Sequence, residues 1–248
     1  MRTQEKRATR FRSIQTSLLF VIVPAVIISM AVLSLMGYLS SKAIIQTSAG
    51  TEMSQCLSVA MGSIEMSLSN NRMVAETMAR GVEAIQRQAV KGDQTASDWD
   101  AAAYQEILTS FVGSNPETFG GGIWFEPYQY RPEQRYFSPY CMRQNGAVTY
   151  VDNYSLGEGV YYTDQDWYTN AANTTQKSVW SAPYYDEFAQ ISMVTSSAPI
   201  YDETGRLLGV ATADIDLTQM QQMVLSLDVV ANGRAFLIDD TGVYICLL

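Results

Sequence analysis

The residues of this chain with binding chemistry are aspartates and aromatic side chains, and the aromatic ones are concentrated in one segment. Twelve of the fifteen tyrosines and three of the four tryptophans lie between Trp124 and Tyr201. An aromatic ring attracts a cation over its face, and a carboxylate attracts it by charge. Aspartates that alternate with aromatic rings therefore suit a small cationic amine.

Histidine is absent from the chain, and its absence excludes several kinds of active site. Ser-His-Asp and Cys-His nucleophile arrangements require it, as do all metal motifs that contain histidine. The three cysteines, Cys56, Cys141 and Cys246, are an odd number at scattered positions, which predicts neither a disulfide framework nor a zinc site. We therefore expect no catalytic residues, no metal and no cofactor.

Among the carboxylates, Asp214 is the strongest candidate for a functional role. It lies inside the apolar strand predicted over residues 207–215, where a buried carboxylate needs a partner. Asp164 and Asp216 each precede a predicted helix, so helix capping is the favoured interpretation for both. The pairs Asp164/Asp166 and Asp214/Asp216 do not continue into a calcium-loop pattern.

Residues 13–41 carry no charge and predict a transmembrane helix. The run 18–36 is apolar apart from two serines and is long enough to cross about 30 Å of hydrocarbon. Residues 1–12 hold five basic residues and one acid, so this tail is expected in the cytoplasm and the chain from residue 42 outside it. A cleaved signal peptide is the alternative, but no Ala-x-Ala site follows. The sequence thus predicts a single pass through the plasma membrane.

The charge of the predicted extracytoplasmic part limits its partners. Residues 42–248 hold 11 basic and 24 acidic residues, a net charge of −13 in a chain whose total is −9. Such an acidic surface argues against nucleic acid and anionic lipid head groups, and it favours cationic partners.

A long helix and an antiparallel sheet are the elements that would position the candidate residues. Helical spacing of apolar residues over 42–91 favours a long helix whose methionine-rich stripe packs in a core or a dimer. A second helix should end near residue 114. Strand-like runs follow at 122–126, 135–140, 147–151, 178–183, 191–201 and 207–214, with short helices at 164–173 and 217–225 and another strand from residue 234. This order predicts an α+β sensor-like fold.

The order of these segments resembles a double Cache (dCache) sensor domain, the extracellular ligand-binding module of bacterial chemoreceptors, sensor kinases and cyclic-dinucleotide enzymes. The sequences that carry the resemblance are Gly-Gly-Gly-Ile-Trp-Phe-Glu-Pro (120–127), Asp-Trp-Tyr-Thr-Asn-Ala (166–171), Tyr-Tyr-Asp (184–186), the run 202–217 and Phe-Leu-Ile-Asp-Asp-Thr-Gly (236–242). The basic tail with Ser-Ile-Gln-Thr at 13–16 resembles the methyl-accepting chemotaxis type.

This resemblance, which covers about residues 42–248, implies a domain organisation. A cytoplasmic tail (1–12) and a transmembrane helix (13–41) would precede a long signalling helix (42–91). Residues 92–230 would form a PAS-like, membrane-distal Cache lobe, and residues 231–248 would begin a membrane-proximal lobe. A complete double Cache protein continues through that lobe, a return helix and a cytoplasmic output module, so we expect a truncated second lobe.

Ligand-site residues are also implied by the resemblance. Trp167, Tyr168 and Asp214 match the family's ligand-lining positions, and Tyr184 and Asp186 match the Tyr-x-Asp that contacts a ligand amine. The predicted site is completed by Asp164, Gln165 and Asp166. For three other aromatics, sheet packing is favoured over a place in the pocket wall: Trp124, Tyr128 and Tyr130.

One departure from the family pattern bears on the ligand. Amino-acid-binding members have an arginine two residues before the tryptophan, where it holds the ligand carboxylate; this chain has Gln165. Glutamine offers neutral donors only, whereas arginine binds a carboxylate through two charge-assisted hydrogen bonds. The departure favours a polyamine, biogenic amine or quaternary ammonium over an amino acid.

The resulting expectation is a non-enzymatic chemotaxis receptor that senses a small cationic amine and dimerises through the long helix. An amino-acid-binding sensor of a histidine kinase or of a cyclic-dinucleotide enzyme is the alternative. An anchored extracellular hydrolase would need two carboxylates placed across a scissile bond, and the lack of a nucleophile motif disfavours it. A fragment that does not fold is a further alternative.

Overall fold

In the computed structural model, the described residues are 14–91, 101–152, 154, 159–225, 236–238, 242 and 244–246. The chain divides into two compact units, the first ending at Gln55 and the second beginning at Cys56. Helix α1 spans Ile14–Lys91. Near its N-terminal end it has a stretch, with a mean hydropathy of 2.8, that is long and apolar enough to cross a membrane. No other helix among the described residues has such a stretch.

The second unit is built on a seven-stranded antiparallel sheet, which confirms the predicted α+β class. Its strands are β1 (Gly120–Phe125), β2 (Tyr140–Gln144), β3 (Ala147–Val151), β4 (Val179–Trp180), β5 (Tyr184–Asp186), β6 (Ile191–Tyr201) and β7 (Leu207–Asp216). Their order is β3-β2-β1-β7-β6-β4, and β5 also pairs with β6. The other elements are helices α2 (Ala101–Ser114), α3 (Asp166–Ala172) and α4 (Leu217–Leu225) and a separate hairpin of β8 (Leu237–Ile238) and β9 (Tyr244–Cys246).

Each face of the sheet has its own core. On one face, α1 contributes five buried residues at helical spacing: Val74, Ala75, Met78, Ala79 and Val82. They pack with buried residues of α2 and of the sheet, and full burial of a Val or Met side chain contributes about 1.5–3 kcal/mol. A second, largely aromatic core contains residues of α3. The candidate site belongs to this aromatic core.

Glycines in β1 let two aromatic rings lie directly against the strand. A Cβ atom at Gly122 would approach the Trp124 indole to 2.7 Å, and one at Gly120 would overlap the Tyr140 hydroxyl. Both approaches are closer than the van der Waals contact distance of a carbon atom. The glycines therefore make room for Trp124 and Tyr140.

The predicted strands at 135–140 and 178–183 are shorter in the structure. Strand β2 begins only at Tyr140, although the carbonyls of Phe137 and Pro139 still accept hydrogen bonds from β1. Proline has no N–H to contribute to a ladder. Strand β4 ends at Trp180, because the next residue, Ser181, uses its side-chain oxygen to accept the Thr195 N–H.

The short helix predicted at 164–173 also begins differently. Residues Tyr162–Asp164 form a 3₁₀ turn, and α3 then starts at Asp166 with Gln165 at the N-cap. Asp164 is therefore not the cap, contrary to the prediction, and the Gln165 side chain makes no capping hydrogen bond. The predicted cap of α4 is confirmed, because Asp216 Oδ1 accepts the Thr218 N–H at 2.7 Å.

Side chains of α1 cover an open edge of β6. Strand β4 pairs with β6 only as far as Ser197, and on the other edge of β6 its pairing with β7 shifts register at Ile200/Tyr201. There Glu83 Oε1 accepts the Tyr201 N–H at 3.0 Å, and Arg80 Nη2 donates to the Pro199 carbonyl at 3.2 Å. Arg80 and Glu83 are also paired, at 2.7 Å and 2.8 Å. We call this arrangement the α1–β6 clasp.

Candidate ligand-binding site

A small pocket lies in the aromatic core of the second unit. The described residues that line it are Trp124, Tyr140, Tyr154, Trp167, Tyr184, Asp186, Met193, Thr195, Thr212 and Asp214. The space that the centre of a water-sized sphere can occupy inside it is about 10 Å³. This is room for about one water molecule. A larger ligand therefore requires the walls to move apart.

Asp214 lies at the centre of the hydrogen-bond network in this pocket. The residue is 3% exposed. Its Oδ2 accepts the Tyr140 hydroxyl at 2.7 Å, and its Oδ1 accepts the Thr195 hydroxyl at 2.8 Å. Thr195 is the cross-strand partner of Asp214 in β6. The sheet register therefore positions this buried carboxylate.

The hydrogen bonds extend beyond Asp214 to Tyr184. The hydroxyls of Tyr184 and Thr195 are 2.8 Å apart. When Asp214 is ionised, Thr195 donates its one hydroxyl proton to Asp214, and the Tyr184 hydroxyl then donates to Thr195. The resulting Tyr184–Thr195–Asp214 chain connects three neighbouring strands: β5, β6 and β7.

The second carboxylate of the pocket, Asp186, has one oxygen in use and one free. The residue is 6% exposed. Its Oδ1 accepts the Tyr154 hydroxyl at 2.5 Å and the Ala189 N–H at 2.7 Å. Its Oδ2 makes no hydrogen bond with the described residues, so it is available to a donor group.

Burial dominates the electrostatics of the site. The pKa of Asp214 is raised to about 7, chiefly by burial and to a smaller extent by the nearby Asp186 carboxylate, while the hydrogen bonds from Tyr140 and Thr195 lower it. Burial is also the largest cause of the raised pKa values of Tyr140, Tyr154 and Tyr184, so these hydroxyls remain protonated donors at neutral pH.

Aromatic rings provide the remaining walls. The Trp124 ring centroid lies 4.8 Å from that of Trp167 and 5.3 Å from that of Tyr154. The indole Nε1 of Trp124 donates to Thr212 Oγ1 at 2.8 Å. This bond fixes the indole over the β1 glycines.

Four of the eight predicted site residues line this pocket: Asp214, Asp186, Trp167 and Tyr184. The other four do not line it, and their part in ligand binding stays a prediction. Tyr168 is buried, but its hydroxyl donates to Glu126 Oε1 at 2.8 Å beside a separate groove. Asp164 and Asp166 are exposed, and Gln165 is half-buried at the start of α3. Successive residues of a helix point in different directions, so α3 brings only Trp167 to the pocket.

The sequence analysis missed six of the lining residues or favoured another role for them: Trp124, Tyr140, Tyr154, Met193, Thr195 and Thr212. For Trp124, packing was favoured, and the structure gives it both packing and a place in the pocket wall. Tyr128 lies outside the pocket, and Tyr130 belongs to the core on the opposite face. The pairing of Asp214 with Thr195 across β6 and β7 would have located Thr195, but no signal in the sequence places Tyr154, which lies outside the strands.

The described residues contain no group of three His, Cys, Asp or Glu side chains that could hold a metal ion. Cys56 and Cys141 have free thiols.

Residues 104–222 match the family described as methyl-accepting chemotaxis protein-like, first PDC sensor domain. The methyl-accepting chemotaxis protein McpC of Bacillus subtilis is 39% identical over 80 residues, which are 32% of this chain and 12% of that protein. McpA of Pseudomonas putida is 26% identical over 196 residues, 77% of this chain and 30% of that protein. The chain thus spans less than a third of the length of either curated relative.

Solved structures share the fold. The extracellular domain of a protein described as a histidine kinase, mmHK1S-Z3, has a TM-score of 0.61 and 22% identity, over 81% of this chain and 69% of that one. The ligand-binding domain of the Campylobacter jejuni chemoreceptor Tlp3, in complex with 4-methylisoleucine, has a TM-score of 0.59 and 16% identity, over 81% of this chain and 70% of that one.

Proposed function

Because residues 104–222 match the methyl-accepting chemotaxis protein-like first PDC sensor domain, we propose that the chain is the ligand-sensing part of a chemotaxis receptor and that its pocket binds a small protonated amine. The observation that carries the proposal is the composition of the pocket wall. Two buried carboxylates and five aromatic rings line it, and none of the ten described lining residues is basic.

The geometry of the site supports an amine as the bound group. Asp186 Oδ2 is free to accept a hydrogen bond, and the rings of Trp124, Trp167 and Tyr154 can face a cation. A hydrogen bond to a charged group contributes about 1.5–3 kcal/mol, and a cation–π contact about 0.5–2 kcal/mol. Two or three of each, less the cost of ordering, give about −6 to −8 kcal/mol, a micromolar Kd.

Whether the ligand also has a carboxylate is a separate question. Tlp3 has been solved with isoleucine and with 4-methylisoleucine, both amino acids. In this chain the position before Asp166 and Trp167 holds Gln165, whose Nε2 lies 3.4 Å from the Tyr161 carbonyl. Gln165 itself does not line the pocket, and the described residues of the pocket wall provide two carboxylates and no positive charge. We infer that an amine without a carboxylate is preferred.

Residues of α1 support the proposal that the receptor acts as a homodimer. Val59, Met66 and Met73 are at least 60% exposed and lie seven residues apart. Apolar residues at seven-residue spacing form the seam of a coiled coil. A second copy of α1 is the occupant we propose for this seam. The apolar stretch near the N-terminus of α1 would hold the receptor in the plasma membrane, with the sensor domain outside.

Calorimetry on the full chain in lipid nanodiscs tests the ligand class. We expect putrescine or choline to bind with micromolar Kd and to be recovered unchanged, and L-isoleucine to bind at least tenfold more weakly. Asp186→Asn should abolish binding, whereas Asp216→Asn, which removes a carboxylate outside the pocket, should not affect it. Tighter binding of L-isoleucine would overturn the preference for amines, and turnover of the ligand would overturn the sensor function.

A further inference from the structure

We propose that the pocket takes up its cationic ligand in exchange for a proton on Asp214, while Asp186 makes the direct contact with the ammonium group. This inference deepens the proposed function and rests on it. It assigns the two carboxylates different roles. Asp186 binds the ammonium group, and Asp214 loses its proton when the cation enters the pocket.

The first argument is the contrast in how the two carboxylates are satisfied. Both oxygens of Asp214 are already hydrogen-bonded to protein hydroxyls, those of Tyr140 and Thr195. Asp186 accepts both of its hydrogen bonds at Oδ1, and Oδ2 makes none with the described residues. The free oxygen of Asp186 is therefore the acceptor that an incoming ammonium meets.

The second argument is the charge around Asp214. The titratable groups that face it are Tyr140 from β2, Tyr184 and Asp186 from β5, and Tyr154 from the segment after β3. β1, β6 and α3 contribute no titratable side chain to the pocket wall. Every facing group is neutral or negative, so ionisation of Asp214 places a second negative charge in a buried site without a positive partner.

A cation in the pocket supplies that missing partner. Without it, Asp214 holds its proton at a pKa of about 7 because burial and Asp186 oppose ionisation. With an ammonium between the carboxylates, the ionised form is favoured and the proton is released to solvent. Below about pH 7, binding and proton release are then coupled one to one. Above it, Asp214 is already ionised and no proton is released.

The coupling determines how affinity depends on pH. Between pH 5 and 7, we expect the affinity for an amine to rise by about tenfold per pH unit, and to level off above pH 7. Binding at pH 6 should release most of a proton per bound cation, and binding at pH 8 should release almost none. An amine such as putrescine remains fully protonated over this range, so the profile reports on the protein.

The experiment uses the full chain in lipid nanodiscs and putrescine as the probe. Calorimetry in two buffers with different ionisation enthalpies, at pH 6 and pH 8, counts the released protons. In parallel, the infrared band of a protonated buried carboxyl is titrated without ligand, and its assignment is checked by its loss in Asp214→Asn. If only the amino acid binds, L-isoleucine replaces putrescine in the same measurements.

Two variants separate the roles. Asp214→Asn, an imitation of the protonated side chain, should bind the amine at least about 100-fold more weakly than the wild type does at pH 8, with an affinity that does not change between pH 5 and 7. Asp186→Asn should lose binding at every pH. A ligand-free carboxyl band that titrates near pH 4, or binding without proton release at pH 6, would overturn the exchange and leave the proposed function intact. A band that titrates near pH 7 together with no binding of any amine or amino acid would overturn the proposed function, and the exchange with it.

Discussion

At the scale of single residues, the site depends on one carboxylate that is buried at a cost to stability. Asp214 is 3% exposed and faces no positive charge in the pocket. Carboxylates whose pKa values are raised by burial and by a neighbouring carboxylate are concentrated at functional sites. The raised pKa of Asp214 should also make the stability of the ligand-free protein depend on pH.

We predict that Asp214→Asn changes the pH dependence of stability. The pKa of Asp214 is raised in the folded protein from an ordinary 3.8 to about 7, so between these values the folded state binds more protons than the unfolded state. The free energy of unfolding contributed by this group therefore falls as pH rises through that window, by up to about 4 kcal/mol.

Urea unfolding of both proteins at pH 4, 6 and 8 measures this contribution. The stability of Asp214→Asn relative to wild type should increase from pH 4 to pH 7 and then stay constant. A relative stability that does not change with pH would contradict the burial of an unpaired Asp214.

A second prediction at this scale concerns Thr195→Val, which keeps the shape of the side chain and removes its hydroxyl. Tyr184 and Asp214 then each lose a hydrogen-bond partner in a buried site. We expect a loss of about 1–3 kcal/mol in the free energy of unfolding at pH 6. The control is Thr204→Val in the exposed β6–β7 turn, where we expect a smaller loss because water can replace its hydrogen bonds.

The sequence could predict the carboxylates of the site but not their partners. Asp214 is recognisable because it interrupts an apolar strand. Thr195 and Tyr140 reach it only through the pairing of β6 with β7 and of β1 with β2. A shift of one residue in either pairing would turn these side chains to the other face. The tight turn between β6 and β7 helps to set their register, but β1 and β2 are joined by a long connection, and no local sequence signal specifies how they pair.

At the scale of elements, the glycines of β1 determine how closely the aromatic wall approaches the sheet. We predict that Gly122→Ala moves the Trp124 indole, because its Cβ would lie 2.7 Å from the ring. The expected result is a loss of stability of about 1–3 kcal/mol and a shift in tryptophan fluorescence.

Gly113→Ala is the matched control for Gly122→Ala. Gly113 lies in α2, and a Cβ atom there would meet nothing within 4 Å. Alanine in an open helical position stabilises by up to about 1 kcal/mol relative to glycine. A loss of stability in Gly122→Ala together with a gain in Gly113→Ala would support the steric interpretation. An equal loss of stability in both variants would argue against it.

The α1–β6 clasp connects the helix that leads toward the N-terminus with the strand that holds Thr195. We predict that Glu83→Ala lowers the free energy of unfolding by about 1–3 kcal/mol, because it leaves the Tyr201 N–H and the Arg80 guanidinium without their shared partner. Hydrogen exchange should accelerate at Tyr201. Glu65→Ala, at an exposed position of the same helix, is the control and should leave that exchange unchanged.

Element types were more predictable than element ends. Strand β6, strand β7 and helix α4 could be predicted from apolar runs bounded by turn residues, and the structure confirms them. The start of β2 and the N-cap of α3 could not, because both depend on tertiary contacts. Pro139 can only accept a hydrogen bond from β1, through its carbonyl, because proline has no N–H. Gln165 takes the cap position without a side-chain hydrogen bond.

At the scale of the whole molecule, the exposed seam of α1 makes the dimer testable. We predict that Met66→Glu weakens self-association of the full chain in detergent, measured by sedimentation equilibrium, because it places a charge in the proposed seam. Met61→Glu is the matched control, since Met61 is 60% exposed and five residues away in the sequence, which places it on a different side of the helix. Equal weakening by both variants would contradict a seam through Val59, Met66 and Met73.

The two β1 glycines behind the rings of Tyr140 and Trp124 also have a consequence for how such receptors diversify. At Gly120 and Gly122, any added side chain meets Tyr140 or Trp124, so neither position is free to take up mutations that create new ligand preferences. Evolution of a new preference is thereby directed to the opposite walls, on α3, β5 and β6. In a lineage that changes its ligand, we expect substitutions to accumulate there while the two glycines persist.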